Sequence, residues 1–199
     1  MSPGNQSRLL VAIVTLWVLS AAAGLAALAN YSYQSGPASE PQAGWPGSAF
    51  FPLERQGATL VMLAHPHCPC TRATIGELGK LMARAQGRLR GHVLFLRPAG
   101  LPGGWERTDL WTSAEAIPGI RVWSDPEGRE ARRFGARTSG QVMVYDGAGN
   151  LIFDGGITIA RGHAGDNPGS AGILARLDGH PAIRRTPVFG CALESHAGR

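Results

Sequence analysis

The sequence has 199 residues, of which 44% are hydrophobic, and carries a formal net charge of +5. This length suits one globular domain with additional segments. The basic residues are scattered rather than gathered into a stripe with interleaved aromatic residues, which argues against nucleic-acid binding. The three cysteines leave at least one thiol unpaired if a single disulfide forms, so they indicate reactive thiols rather than a disulfide scaffold.

The N-terminal region contains an uncharged stretch, residues 9–29, which is long enough for a helix to cross a bilayer. Arg8 precedes this stretch and the first charge after it is Glu40, so the positive-inside rule places the N-terminus in the cytoplasm and the remainder outside. The segment Ala27-Leu28-Ala29 also has the small-x-small pattern of a signal-peptide cleavage site. Residues 1–29 are therefore a membrane anchor or a cleaved signal peptide, and both interpretations predict export. The anchor gives a single-pass inner-membrane protein with its domain on the periplasmic or extracellular side, whereas cleavage gives a secreted protein.

Residues 30–52 are rich in serine, glycine and glutamine and contain four prolines, a composition typical of a linker with little structure. The globular domain is accordingly predicted over residues 53–182. Residues 183–199 then form a C-terminal tail that carries Cys191.

The first half of the domain has the pattern of a βαβ unit. Residues 59–63 and 92–97 are short aliphatic runs typical of buried strands. Between them, residues 71–87 place apolar side chains on one face of an amphipathic helix. Two strands joined in this way are expected to run parallel with a right-handed crossover.

The second half adds a β-hairpin and further helices. Glycine and asparagine in the turn after residue 145 indicate an antiparallel pair of strands, and Asn167-Pro168 suits the start of a last helix. The predicted strands are 120–123, 141–145 and 151–153, and the predicted helices are 109–116, 129–134 and 168–178. The fold class is therefore α/β, a mixed β-sheet flanked by helices and preceded by one N-terminal transmembrane or signal helix.

The segment His65-Pro-His-Cys-Pro-Cys70 joins the first strand to the first helix of the domain and places two thiols and two imidazoles within six residues. Pro69 suits the first helical position, so Cys68 is predicted at the N-cap and Cys70 at the second helical position. The partial positive charge of a helix N-terminus stabilises a thiolate, which is the reactive and metal-ligating form of cysteine.

This order of elements, with cysteines at the end of the first core strand, resembles the thioredoxin-like superfamily. The resemblance lies in residues 60–70 and 134–146, and the additional segments 138–140, 155–158 and 189–191 are most similar to the RedB-type thioredoxin-like proteins of bacteria. It implies a thioredoxin-like fold and thiol–disulfide chemistry.

Two positions depart from the pattern of that superfamily. The motif reads Cys-x-Cys rather than Cys-x-x-Cys, with His67 at the usual position of the nucleophile. Ser139-Gly140 stands where the family has a cis-proline that shapes the substrate groove.

The first functional hypothesis is an exported, membrane-tethered thiol–disulfide oxidoreductase that acts on protein thiols or a redox partner protein and needs no cofactor. Cys68 would be the attacking thiolate, and His67 would accept its proton. The resolving thiol would be either Cys70 or Cys191. A Cys68–Cys70 disulfide is possible only if the backbone is bent, and Cys191 on the C-terminal tail is the alternative.

Two alternatives use the same residues. A copper-binding protein that resembles the thioredoxin-like copper chaperones would take ligands from His65, His67, Cys68 and Cys70, with His163 supplied by a later loop, because soft thiolates and imidazoles favour copper. A thiol peroxidase would use a cysteine supported by Thr71-Arg72.

Overall fold

The computed structural model describes residues 3–193, with only the backbone of Pro3 included. The described chain forms two compact units, which divide between Gln34 and Ser35. The first unit consists of helix α1, Pro3–Tyr33, which contains the predicted apolar stretch. Residues 4–33 are long and apolar enough to cross a membrane, and a signal sequence meets the same criteria of length and composition.

The second unit contains a mixed sheet of five strands. In chain order the strands are β1 Ala58–Ala64, β2 Leu89–Arg97, β3 Ile120–Pro126, β4 Gln141–Tyr145 and β5 Leu151–Gly155. Their order across the sheet is β3-β2-β1-β4-β5. The first three strands are parallel, whereas β4 runs antiparallel to both β1 and β5. The central strand β1 is buried along its whole length, and its carboxyl end pairs with β2 on one side and with β4 on the other.

Helices cover both faces of this sheet. They are α2 Pro69–Ala85, α3 Asp109–Glu115, α4 Arg129–Phe134 and α5 Pro168–Leu177. Leu60 and Met62 of β1 pack in the hydrophobic cluster that includes α2, α3 and α5, whereas Val61 and Leu63 pack in the cluster that includes α4. This alternation follows from the two-residue period of a strand. The predicted mixed sheet flanked by helices is confirmed.

Residues 35–52 do not form the linker that their composition predicted. Phe51 is only 2% exposed, and the ring of Trp45 lies 5.3 Å from those of Phe134 and Tyr145. The Trp45 N–H donates to the Gly149 carbonyl oxygen at 2.7 Å. The prediction was wrong for these residues because it counted prolines and polar residues, whereas the two aromatic side chains bury enough apolar surface to hold the segment on the domain.

The predicted C-terminal tail, residues 183–199, is also packed on the domain as far as it is described. Phe189 and Leu193 are 9% and 4% exposed, respectively. Residues 194–199 lie outside the described part of the chain. The domain therefore extends beyond its predicted limits, 53–182, at both ends.

The packed N-terminal segment can be tested by truncating either of two adjacent phenylalanines. Phe51→Ala should lower the free energy of unfolding by about 3–5 kcal/mol, because it removes a buried aromatic ring. Phe50 is 51% exposed, so Phe50→Ala should lower it by only about 1 kcal/mol. Denaturant unfolding of the full chain in detergent, followed by tryptophan fluorescence, measures both changes. Equal small effects would mean that the segment is a tether after all.

Candidate active site

Cys68 lies where the carboxyl end of β1 turns into α2. Its N–H donates to the carbonyl oxygen of His65 at 3.1 Å, which closes the turn, and Pro69 occupies the first helical position. Cys68 is thus the N-cap and Cys70 the second helical residue, as predicted. The Cys68 side chain makes no capping hydrogen bond. The Thr71 N–H donates instead to the Cys68 carbonyl oxygen at 3.0 Å.

The C-terminal segment brings the third thiol to this position. The Ser139 N–H donates to the Cys191 carbonyl oxygen at 2.8 Å, and the Leu193 N–H donates to the Arg137 carbonyl oxygen at 2.9 Å. The segment passes so close that a Cβ at Gly190 would collide with the carbonyl oxygen of Ser139. Cys191 is therefore fixed beside the N-terminal end of β4, which adjoins β1.

The sulfur of Cys68 is the acceptor for several of these groups. Cys68 is only 1% exposed, and this burial by itself would raise the pKa of its thiol. Two residues lower this pKa by stabilising charge on the sulfur. Cys191 acts through its thiol and its backbone N–H, and Thr71 acts through its hydroxyl and its backbone N–H. They outweigh burial and hold the pKa of Cys68 below its ordinary value. Cys68 is thus the thiol of the three that is disposed to form a thiolate.

The other two thiols are shifted in the opposite direction. Burial and the neighbouring Cys68 charge raise the pKa of Cys70. Burial, the hydrogen bond to Cys68 and the charges of Cys68 and Cys70 raise the pKa of Cys191 to about 12, although the Arg161 guanidinium opposes both shifts. Cys70 and Cys191 are each partly exposed. One buried thiol with a lowered pKa therefore lies beside two partly exposed thiols with raised pKa values.

A buried hydroxyl pair supports the Cys68 sulfur. The His65 N–H donates to Ser139 Oγ at 2.7 Å, and Ser139 Oγ lies 2.7 Å from Thr71 Oγ1. Either of these two hydroxyls can be the donor to the other, and the Thr71 hydroxyl also stabilises the charge of Cys68. Both hydroxyl residues are 0% exposed, so the hydrogen bond between them is protected from competing water.

The two motif histidines face an indole that the sequence did not single out. The ring centroid of Trp105 is 4.5 Å from that of His67 and 5.9 Å from that of His65. His65 Nδ1 accepts a hydrogen bond from the His67 N–H at 3.2 Å. Burial first, and the charge of His67 second, lower the pKa of His65. His67 is exposed, and within residues 3–193 its imidazole makes no hydrogen bond to a thiol, so the proton-acceptor role predicted for it stays a prediction.

The predicted copper ligands do not form a ready site. Among residues 3–193, no three histidine, cysteine, aspartate or glutamate side chains are arranged to hold a metal ion. His163 is exposed, and its Nδ1 pairs with the Arg161 carbonyl oxygen at 2.8 Å. The loop predicted to approach the helix N-terminus does so through Arg161, whose charge acts on Cys70 and Cys191.

The peroxidase hypothesis relied on Thr71 and Arg72. Thr71 contacts the Cys68 sulfur as that hypothesis requires. Arg72, however, is exposed and forms an ion pair with Asp109. Its guanidinium is therefore engaged elsewhere.

Three contributors were missed by the sequence analysis: Ser139, Arg161 and Trp105. Ser139 carried one signal, since it stands where a proline was expected and leaves a hydroxyl in its place. Arg161 and Trp105 lie in loops without periodicity, and nothing in their local sequence indicates proximity to the thiols.

Comparison with known proteins shows what the fold is similar to. No protein-family model and no curated protein matches the sequence. A hypothetical protein from Sinorhizobium meliloti is similar in structure, with a TM-score of 0.63, 20% identity and coverage of 83% of this chain and 100% of that one. An uncharacterised conserved protein from Geobacillus kaustophilus has a TM-score of 0.61 and 17% identity, with coverage of 84% of this chain and 95% of that one. A secreted disulfide oxidoreductase of Mycobacterium tuberculosis has a TM-score of 0.44 at 10% identity, over 63% of this chain and 83% of that one.

The strand order β3-β2-β1-β4-β5, with helices on both faces and a cysteine motif where the central strand meets a helix, is the arrangement that the sequence resemblance implied. The chain has a thioredoxin-like fold.

Proposed function

We propose that this protein is an exported, membrane-tethered thiol–disulfide oxidoreductase whose redox pair is Cys68 and Cys191. The observation that carries the proposal is the position of Cys191, whose carbonyl oxygen accepts from the Ser139 N–H at 2.8 Å, while the Ser139 hydroxyl lies 2.7 Å from that of Thr71 in the first turn of α2. This brings Cys191 beside Cys68, and the two thiols act on each other's pKa. Cys68 and Cys191 are separated by more than 100 residues of chain but lie together, so they are placed to form a disulfide. Cys68 and Cys70, in contrast, are two residues apart at the start of a helix.

The electrostatics of the pair support reversible exchange. Disulfide exchange proceeds by attack of a thiolate on a disulfide sulfur, and a thiol with a low pKa is a good leaving group. Cys68 has the lowered pKa and Cys191 the raised one. Cys68 is therefore the attacking thiolate in one direction and the leaving group in the other.

Membrane tethering through residues 9–29 is the second part of the proposal. The full chain should sediment with membranes and be released by detergent but not by high salt, because an uncharged helix of this length is stable in the hydrocarbon core. Sequencing of the mature N-terminus checks this result. A mature chain that begins at Asn30 would contradict the tether and indicate a cleaved signal peptide.

The redox pair predicts a specific oxidised form. Oxidation with glutathione disulfide should link Cys68 to Cys191, and this bond closes a loop of more than 100 residues, which stabilises the fold by roughly 4–5 kcal/mol in the chain-entropy model. Cys191→Ser should therefore lower the Tm markedly under oxidising conditions and only slightly under reducing ones.

Cys70→Ser is the matched control and should retain the bridge. Mass mapping of peptides from the oxidised protein provides an independent measurement. A Cys68–Cys70 bridge beside a free Cys191 would contradict the proposal.

A further inference from the structure

We propose that a partner protein's sulfur bonds to Cys191 rather than to Cys68, and that the oxidised protein takes electrons from a partner dithiol. This inference rests on the proposed function, since it requires the Cys68–Cys191 disulfide. It identifies the exchange position as the C-terminal segment and reverses the assignment that the helix motif alone suggests.

Access to the two sulfurs is the first argument. Cys68 is 1% exposed, and its sulfur lies among the backbone of Cys191, the hydroxyl of Thr71 and the helix terminus. An incoming sulfur must approach the attacked sulfur from the side opposite the bond that breaks. At Cys68 that approach passes through packed protein, whereas Cys191 is partly exposed.

The leaving group is the second argument. Attack on Cys191 expels Cys68, whose charge is received by the hydroxyl of Thr71, the backbone N–H of Cys191 and the positive end of α2. Attack on Cys68 would expel Cys191, whose pKa is raised to about 12 chiefly by burial. Since a low-pKa thiol leaves faster, burial and leaving-group chemistry select the same sulfur.

Charge around Cys191 is the third argument. Arg161 donates through Nη1 to the Gly190 carbonyl oxygen at 2.9 Å, next to Cys191. Its guanidinium acts electrostatically on both partly exposed thiols. A positive charge at this position favours the approach of a partner thiolate.

The reaction balances with the partner as the reductant. The partner's first thiolate bonds to the Cys191 sulfur, the Cys68–Cys191 bond breaks, and its electron pair leaves on Cys68. The partner's second thiol loses its proton and attacks the partner's own sulfur in the mixed disulfide. The bond to Cys191 then breaks, and Cys191 takes the electron pair and a proton. The partner dithiol is thereby oxidised by two electrons to a disulfide, and the protein disulfide is reduced.

Stabilisation of the reduced form sets the direction of this transfer. A disulfide whose reduced form carries a stabilised thiolate is a stronger oxidant, as in oxidases with a very low thiol pKa. The hydrogen bonds to the Cys68 sulfur act in this way, because oxidation removes the charge that they stabilise. The substrate class is therefore a pair of reduced cysteines in an exported protein.

A peptide with a single cysteine tests the exchange position, because it lacks the second thiol needed to complete the reaction. The oxidised full chain in detergent is mixed with the reduced peptide, quenched with acid and mapped by mass spectrometry, in the wild type and in Cys70→Ser. The expected product carries the peptide on Cys191 and leaves Cys68 free in both proteins. Two outcomes overturn the inference. In the first, the peptide is bonded to Cys68 in both proteins. In the second, it is bonded to Cys70 in the wild type and is absent from Cys191 in Cys70→Ser.

The rate of this reaction tests the leaving-group argument. Thr71→Val removes one hydrogen bond to the departing Cys68 and should slow peptide attack roughly threefold to tenfold. Thr74→Val is the matched control, because the Thr74 hydroxyl donates to the Cys70 carbonyl oxygen at 3.3 Å rather than to Cys68, and its rate should stay near that of the wild type. Equal rates in all three proteins contradict the argument.

These results separate the inference from the proposed function. If oxidation yields no Cys68–Cys191 disulfide, the proposed function fails before any peptide is added. If the disulfide forms but the peptide bonds to Cys68, the redox pair stands and only the exchange position is wrong.

Discussion

The hydrogen bonds that converge on the buried sulfur of Cys68 are the interaction on which the rest of the site depends. A thiolate with 1% exposure is unfavourable unless donors replace the water it has lost. Thr71 supplies a donor from within α2, and Cys191 supplies two from the C-terminal segment. The reactive state of one cysteine is thus determined partly by a residue near the opposite end of the chain.

The fold supports this interaction through the N-terminal end of β4. Ser139 makes two contacts there, because its N–H donates to the Cys191 carbonyl oxygen and its hydroxyl hydrogen-bonds to that of Thr71. The same residue therefore positions both donors to Cys68. Within residues 3–193 there is no cis peptide bond, and a serine hydroxyl occupies the position where the sequence resemblance led us to expect a proline. Serine at this position thus adds a hydrogen-bonding hydroxyl to the site.

The sequence predicted those parts of the structure that depend on local patterns. Each strand and helix of the domain appears in the predicted order, since periods of 2.0 and 3.6 residues report burial directly. Cys68 was placed correctly because a proline at the first helical position is a local signal. The packing of Trp45 and Phe51, and of the segment that carries Cys191, depends on surfaces distant in sequence. Composition alone described these two segments as linker and tail, and no local signal placed them on the domain.

Direct titration of Cys68 tests the account most directly. The ultraviolet absorbance of the thiolate is followed with rising pH in the reduced wild type. The same titration of Cys68→Ser identifies which ionisation belongs to Cys68 and so gives the pKa of this thiol. We expect Cys68 to ionise below the ordinary pH range of cysteine, and its pKa to be higher in Thr71→Val than in Thr74→Val. The reaction that requires the thiolate, attack of Cys68 on the disulfide between Cys191 and the peptide, should be lost as the pH falls through that pKa. A first ionisation at or above the ordinary value of cysteine, unchanged by Thr71→Val, would contradict it.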